Sequence, residues 1–172
     1  LAELNDDDIV ALYKGVEEAL KNIIQFRKDE GTQLEKDLIE RIKAIQQLKS
    51  ELQPHEESRI EKLREKLKQD VANHVTEGAI DNNRFEEELI YYLEKMDINE
   101  EKVRLDTHCL YFTETLQEDV MEKGKKLGFI GQEIGREINT IGSKANDANM
   151  QKIVVQMKDE LEKIKEQVLN IL

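Results

Sequence analysis

The chain of 172 residues has one cysteine, one proline and no tryptophan, and aromatic side chains make up only 5% of it. A single thiol, Cys109, excludes an internal disulfide and fits a reducing compartment. Its apolar neighbours in a helical register make it an inert core residue. With Pro54 as the sole proline, long stretches have nothing to interrupt a helix. No apolar run is long enough to cross a bilayer, so no transmembrane helix is expected. There is no signal-peptide pattern and no initiator methionine, and the abrupt Leu1-Ala2-Glu3-Leu4 opening reads as a fragment of a longer protein. No CxxC or HExxH occurs, which leaves a structural zinc or zincin-type site unsupported. Gly128, Gly131 and Gly135 lack both a preceding strand and a Gly-Lys-Ser/Thr ending, so they form no nucleotide-binding loop.

What the chain has in abundance is charge: 37% of residues are Asp, Glu, Lys or Arg, with a net charge of −12. This composition favours helices with narrow apolar seams and long solvated faces. From Asn5, a helix N-cap followed by three aspartates suited to the helix dipole, apolar residues recur at helical spacing. Ile9, Leu12, Val16, Leu20, Ile23 and Ile24 form the first stripe, and Leu34, Leu38, Ile42, Ile45 and Leu48 extend it to Pro54, where the helix should end or kink. Ile60, Leu63, Leu67 and Val71 resume it. Stripes this narrow suit a coiled coil and predict a long antiparallel helical arm over residues 1–76. A stripe over residues 9–52 cannot bury itself, so it must pair with residues 56–75 or with another subunit.

Residues 78–83 carry a turn signal. A compact bundle is expected over residues 77–172. Its helices run from Arg84 to Met96, from Asn99 (opened by an Asp97–Glu100 capping box) to about Val120, then along a glycine-bearing segment, and finally from Asn146 or Asp147 through Val168. No strand pattern occurs, and the fold class is all-α.

The glycine-bearing segment from Leu127 to Lys144 is the most unusual. Leu127, Ile130, Ile134, Ile138 and Ile141 give it a core face. Glu133, Arg136, Glu137 and Thr140 share a second face. Gly128, Gly131, Gly135 and Gly142 each cost roughly 1 kcal/mol relative to alanine, which implies that a helix or ligand approaches this backbone closely. On the preceding helix, Asp97, Glu101, Arg104 and His108 share a face at spacings of four, three and four. His55 and His74 read as solvated or helix-terminal. The charge is also uneven. Residues 1–119 hold 17 basic and 30 acidic side chains, whereas residues 120–172 hold nine and eight.

Three ordered blocks resemble the C-terminal domain of the YicC-type endoribonuclease family. They are Gln132-Glu133-x-x-Arg136-Glu137-x-Asn139-Thr140-Ile141-x-Ser143-Lys144, the upstream Asp97-Ile98-x-Glu100-Glu101-x-x-Arg104-Leu105-x-x-His108-x-x-x-Phe112, and the downstream Lys158-x-Glu160-x-Glu162-Lys163-Ile164-x-Glu166-Gln167-Val168-x-Asn170-Ile171. The resemblance is dense from Arg84 onward and looser before it. Nothing here resembles the N-terminal domain of that family. The family tends to bulkier residues at the positions of Gly131 and Gly135, and it closes with other residues than Lys165, Leu169 and Leu172.

The resemblance implies a cytoplasmic enzyme that cleaves RNA and forms a ring-like homo-oligomer; nothing selects DNA. RNA would meet the less acidic end of the chain, at Lys123, Lys125, Lys126, Arg136 and Lys144. Two chemical routes are open. In one, Glu101, Glu133 and Glu137 hold Mg²⁺ or Mn²⁺, which the excess of carboxylates favours. In the other, His108 is the base or acid beside the carboxylates of Glu133 and Glu137, with Arg104, Arg136 or Lys144 clamping the phosphate. The competing reading is non-enzymatic: a helical scaffold or RNA-binding adaptor in which Glu133–Arg136 and Glu137–Arg104 are salt bridges. Tyr91, Tyr92, Tyr111, Phe112 and Phe129 read mostly as core.

Overall fold

The computed structural model describes residues 6–74, 82–120 and 122–171, and among these there are six α-helices and no strand. They are α1 (Asp6–Ser50), α2 (Gln53–His74), α3 (Asn82–Met96), α4 (Asn99–Gln117), α5 (Gly124–Ala145) and α6 (Ala148–Val168). The all-α expectation holds. The turn predicted at residues 78–83 lies mostly outside the described residues.

The chain divides into two compact units, residues 1–38 and 39–172. In the first, the predicted stripe is present but bare: Leu12, Leu20, Ile23 and Ile24 are all more than half exposed, and so is Phe26. In the second, Pro54 sits in the first turn of α2, where its missing N–H costs nothing. The chain does not reverse there. Glu51 N–H donates to Gln47 O and Glu56 N–H to Leu52 O, so the helical bonding carries across the junction. Of the pairing expected between residues 9–52 and either residues 56–75 or another subunit, the stretch 39–52 does not fold back on α2: the helix bends near Pro54 instead. The charged side chains of these segments point elsewhere: Lys102 of α4 reaches Glu56 at 2.7 Å, Lys49 pairs with Asp106 of α4, and Arg41 meets Glu160 of α6 at 3.1 Å.

α4, α5 and α6 form the core of the second unit, with α5 packed against both neighbours. The predicted stripe on α5 is the one that is buried: Leu127, Ile134, Ile138 and Ile141 are fully inaccessible. Each such side chain contributes about 1.5–3 kcal/mol. Across from it lie Leu105, Cys109 and Phe112 of α4 and Met157, Leu161 and Ile164 of α6. Burial pushes the Cys109 thiol up to about 12, which makes it as unreactive as its register implied.

Glycine lets α6 approach α5. A Cβ on Gly142 would lie 3.0 Å from Val154 Cγ1, one on Gly135 would lie 3.2 Å from Leu161 Cδ2, and one on Gly124 would lie 2.7 Å from the carbonyl oxygen of Ile171. The expected close approach is thus real at Gly135. It is real at Gly142 too, and absent at Gly128 and Gly131, where an added Cβ meets nothing within 4 Å.

The turn between α5 and α6 is set locally. Asn146 ends α5 in the left-handed region (φ 46°), and Asp147 caps α6 by accepting N–H bonds from Asn149 and Met150 at 2.9 and 3.1 Å. The bond from Met150, foremost, holds the Asp147 carboxyl below its ordinary value of 3.8. A depressed carboxyl stabilises the fold above the ordinary value and loses that effect as pH falls through the native one. Replacing Asp147 with alanine should cost about 1 kcal/mol near neutrality. In urea titrations, the gap between wild type and D147A should close as pH is lowered beneath 3.8.

Candidate functional site

α4 and α5 run antiparallel, and their charged side chains meet along one seam. Glu101 of α4, only 3% exposed, accepts from Lys144 Nζ of α5 at 2.8 Å, and Arg104 Nη2 lies 3.5 Å from the same oxygen. Arg104 Nε reaches Glu137 Oε2 at 3.3 Å, and its Nη1 donates to Glu100 at 2.6 Å. Glu137 is 9% exposed. One arginine and one lysine therefore neutralise two buried carboxylates, and both cations keep an accessible flank, with side-chain exposures of 46% and 33%. Glu101 Oε2 is buried without a hydrogen-bond partner, an acceptor left open inside the seam.

By helical spacing, His108 lies one turn beyond Arg104 on α4 and Glu133 one turn before Glu137 on α5. His108 is half-buried. Glu133 lies 3.5 Å from Arg136, whose side chain is 73% exposed. The pairs Glu137–Arg104 and Glu133–Arg136 are both made. The shared face predicted on α4 divides: Glu101 and Arg104 enter the seam, while Asp97 turns away and accepts from Asn99 N–H. The predicted capping box is not made: the N-cap residue is Ile98, with no side-chain cap bond, and Glu100 is taken by Arg104.

The lysine group before α5 is more engaged than its sequence suggests. Lys123 Nζ donates to the carbonyls of Leu116 and Glu118, capping the end of α4. Lys126 bonds Glu118 at 2.9 Å and lies 5.0 Å from the Tyr111 ring centroid. The Glu118 bond is the main reason its ammonium is held above the ordinary value. Lys125 is exposed and makes no ion pair among the described residues.

Glu101, Glu133 and Glu137 do not form a metal cage. Glu137 is bound to Arg104, Glu133 to Arg136 and Glu101 to Lys144, and no cluster of three acidic, histidine or cysteine side chains suited to a cation occurs among the described residues. A divalent ion would have to displace two guanidinium groups and an ammonium.

Arg59 of α2 was not foreseen. It is 5% exposed, and its guanidinium donates to the carbonyls of Lys144 and Ala145 at 2.9 and 2.8 Å and to that of Met96. It thereby closes the C-termini of α3 and α5, where carbonyls lack helical partners. Burial lowers its affinity for the proton, against the opposing pull of Glu56, Asp147 and Asp97. On its other side Arg59 lines a cavity of about 340 Å³ with Glu56, Leu93, Met96 and Asp97. A lone arginine on a polar helix carries no periodic signal, so only the fold reveals it.

The helices of this seam fall within the stretch, residues 52–172, that matches the family model described as "Endoribonuclease YicC-like, C-terminal". The chain belongs to the YicC-like endoribonuclease family. It is 37% identical over 169 residues to a protein named "Probable endoribonuclease YicC" from Clostridioides difficile (strain 630), covering 96% of this chain and 57% of that one. A protein of the same name from Haemophilus influenzae (strain ATCC 51907 / DSM 11121 / KW20 / Rd) is 27% identical, over 99% of this chain and 60% of its own length. The chain thus spans under two thirds of the length of these YicC relatives. The matched segment includes α2, so Arg59 and the seam it braces lie inside the YicC-like part.

Arg59→Ala should cost roughly 3 kcal/mol or more, since it strips buried carbonyls of a charged donor and opens a void. A thermal melt of R59A within a degree of wild type would remove the bracing role.

Proposed function

We propose that this chain supplies the catalytic helices of a cytoplasmic endoribonuclease, with the α4–α5 seam as the place where RNA is cut. The observation that supports this most is the pair of half-exposed cations, Arg104 and Lys144, held over buried carboxylates at one site in the family-matched segment. Such cations are preorganised for a phosphate: their positions are fixed before substrate arrives. An incoming phosphate would take over part of the charge now balanced by Glu101 and Glu137.

The donor set favours the route through the protein's own side chains. A base accepts the proton of the 2′-hydroxyl, whose oxygen attacks phosphorus. The bond to the 5′-oxygen breaks, and an acid returns a proton to that leaving oxygen. The products are a 2′,3′-cyclic phosphate and a free 5′-hydroxyl. His108, with Glu133, is the candidate for these transfers, and Arg104 and Lys144 stabilise the charge that builds on phosphorus. A contribution from Mg²⁺ or Mn²⁺ would need ligands beyond these helices, such as the phosphate itself. Cleavage assayed in Mn²⁺, Mg²⁺ and EDTA separates the routes.

His108→Ala is expected to lower kcat by a hundredfold or more while leaving the melting temperature near wild type, as loss of one acid–base group does. The double variant Glu133→Ala/Glu137→Ala should abolish cleavage. Wild-type cleavage by either would move the chemistry elsewhere.

The burial of Glu101 and Glu137 favours one second reading, in which the seam is purely structural and the protein is a scaffold or RNA-binding adaptor. On that reading Arg104→Ala destabilises by about 3–5 kcal/mol, the cost of stranding a buried charge, and no variant in the seam alters RNA turnover. Melts run beside activity assays decide between the two.

We also propose that the protein is a homo-oligomer. The exposed stripe from Leu12 to Phe26 is of the kind that pairs with another helix. Light scattering on the protein at its natural length should give a mass of several subunits. A monomer at tens of micromolar would reject the assembly.

A further inference from the structure

The face of α5 turned away from the core reads Lys125, Phe129, Gln132, Arg136, Asn139 and Ser143, spaced by three or four residues throughout. All six are exposed. This face holds no carboxylate in a chain whose net charge is −12. Phe129 stands 56% exposed between Lys125 and Arg136, although solvent makes a bare phenyl ring costly and the adjacent core stripe is fully buried. The face extends about 27 Å, at ~1.5 Å per residue, and at Arg136 and Glu133 it borders the α4–α5 seam.

We infer that this face is a binding track for single-stranded RNA, with Phe129 as a base-stacking platform. The inference rests on the endoribonuclease reading above. A single strand offers two chemistries that the face matches. Its phosphates attract exposed cations, and Lys125 and Arg136 provide two along one line. Its unpaired bases stack on aromatic rings whatever their sequence, and Phe129 lies between those cations. Gln132, Asn139 and Ser143 add donors and acceptors for base edges or the 2′-hydroxyl. A double helix would hide its bases from Phe129, so the track selects unpaired segments. A strand on it passes the open flank of Arg104 and Lys144, which brings a phosphodiester to the cutting seam.

The test is fluorescence anisotropy of the protein at its natural length, with a labelled 2′-O-methyl oligouridine that cannot be cleaved and an abasic strand of equal length. Phe129→Leu keeps an apolar side chain and should leave the fold intact. It should weaken binding to the oligouridine roughly five- to tenfold, within the range for one stacked base, and leave abasic binding unchanged. Phe129→Tyr should bind like wild type. Lys125→Gln should weaken both ligands alike and flatten the salt dependence of binding. If Phe129→Leu binds oligouridine like wild type, or weakens both ligands equally, the stacking role is overturned. If it instead changes the mass by light scattering with RNA binding intact, the face is a protein contact and the proposal falls. RNA cleavage by wild type is scored separately, so a failed track leaves the endoribonuclease reading standing, and an inactive wild type rejects that reading whatever Phe129 does.

Discussion

The arrangement of α4 and α5 depends on one constraint: the carboxylate of Glu101 is almost wholly out of water. A buried anion costs several kcal/mol unless a cation and further hydrogen bonds offset it. Lys144 comes from the far end of α5 and Arg104 from the next turn of α4. Sliding either helix by one turn would separate these groups and strand the charge. The apolar stripe on α5 fixes which face turns inward, but isoleucine contacts are tolerant of such slips. The ionic pairs make the register unique.

Arg59 extends that constraint to α2. Its bonds to the carbonyls of Lys144 and Ala145 hold the end of α5 at the point where Lys144 emerges. It bonds Met96 with the same guanidinium, so the ends of α3 and α5 are fixed together. The planar guanidinium fork, with its fixed N–H directions, serves these three acceptors on two helix ends at once. Support for the seam therefore arrives from a helix that contributes no group to it. Glycine provides the complementary device on the opposite side of α5, letting α6 come near enough to bury Leu161 and Val154. α5 thus has a braced end, a packed face and a free face.

Family membership and the seam carry different weights. Membership follows from residues 52–172 and from the YicC relatives. The roles proposed for Arg104, His108 and Lys144 rest on the seam within this chain. The two agree in one respect, since the polar blocks that carry the likeness are those the fold brings together.

Periodicity determined the all-α class and the buried face of α5, and local cap signals added the Asp147 start of α6, because helix formation, capping and stripe burial depend on neighbours three and four residues apart. The likeness of three blocks made the family legible for a similar reason: it resides in short local spacings. The tertiary structure decided everything that required knowing what faces what. It turned Phe129 outward, because the register of α5 puts its core stripe on other residues. It made Lys123 a cap of α4 and left Lys125 exposed, a difference of two positions in one lysine cluster. It chose a bend between α1 and α2 out of the end or kink that Pro54 announced, since a proline in a first helical turn lacks no bond it would otherwise make. And it divided the carboxylates among arginine and lysine partners instead of gathering them around a cation, because charge pairing across helices depends on distances that no one-dimensional spacing contains.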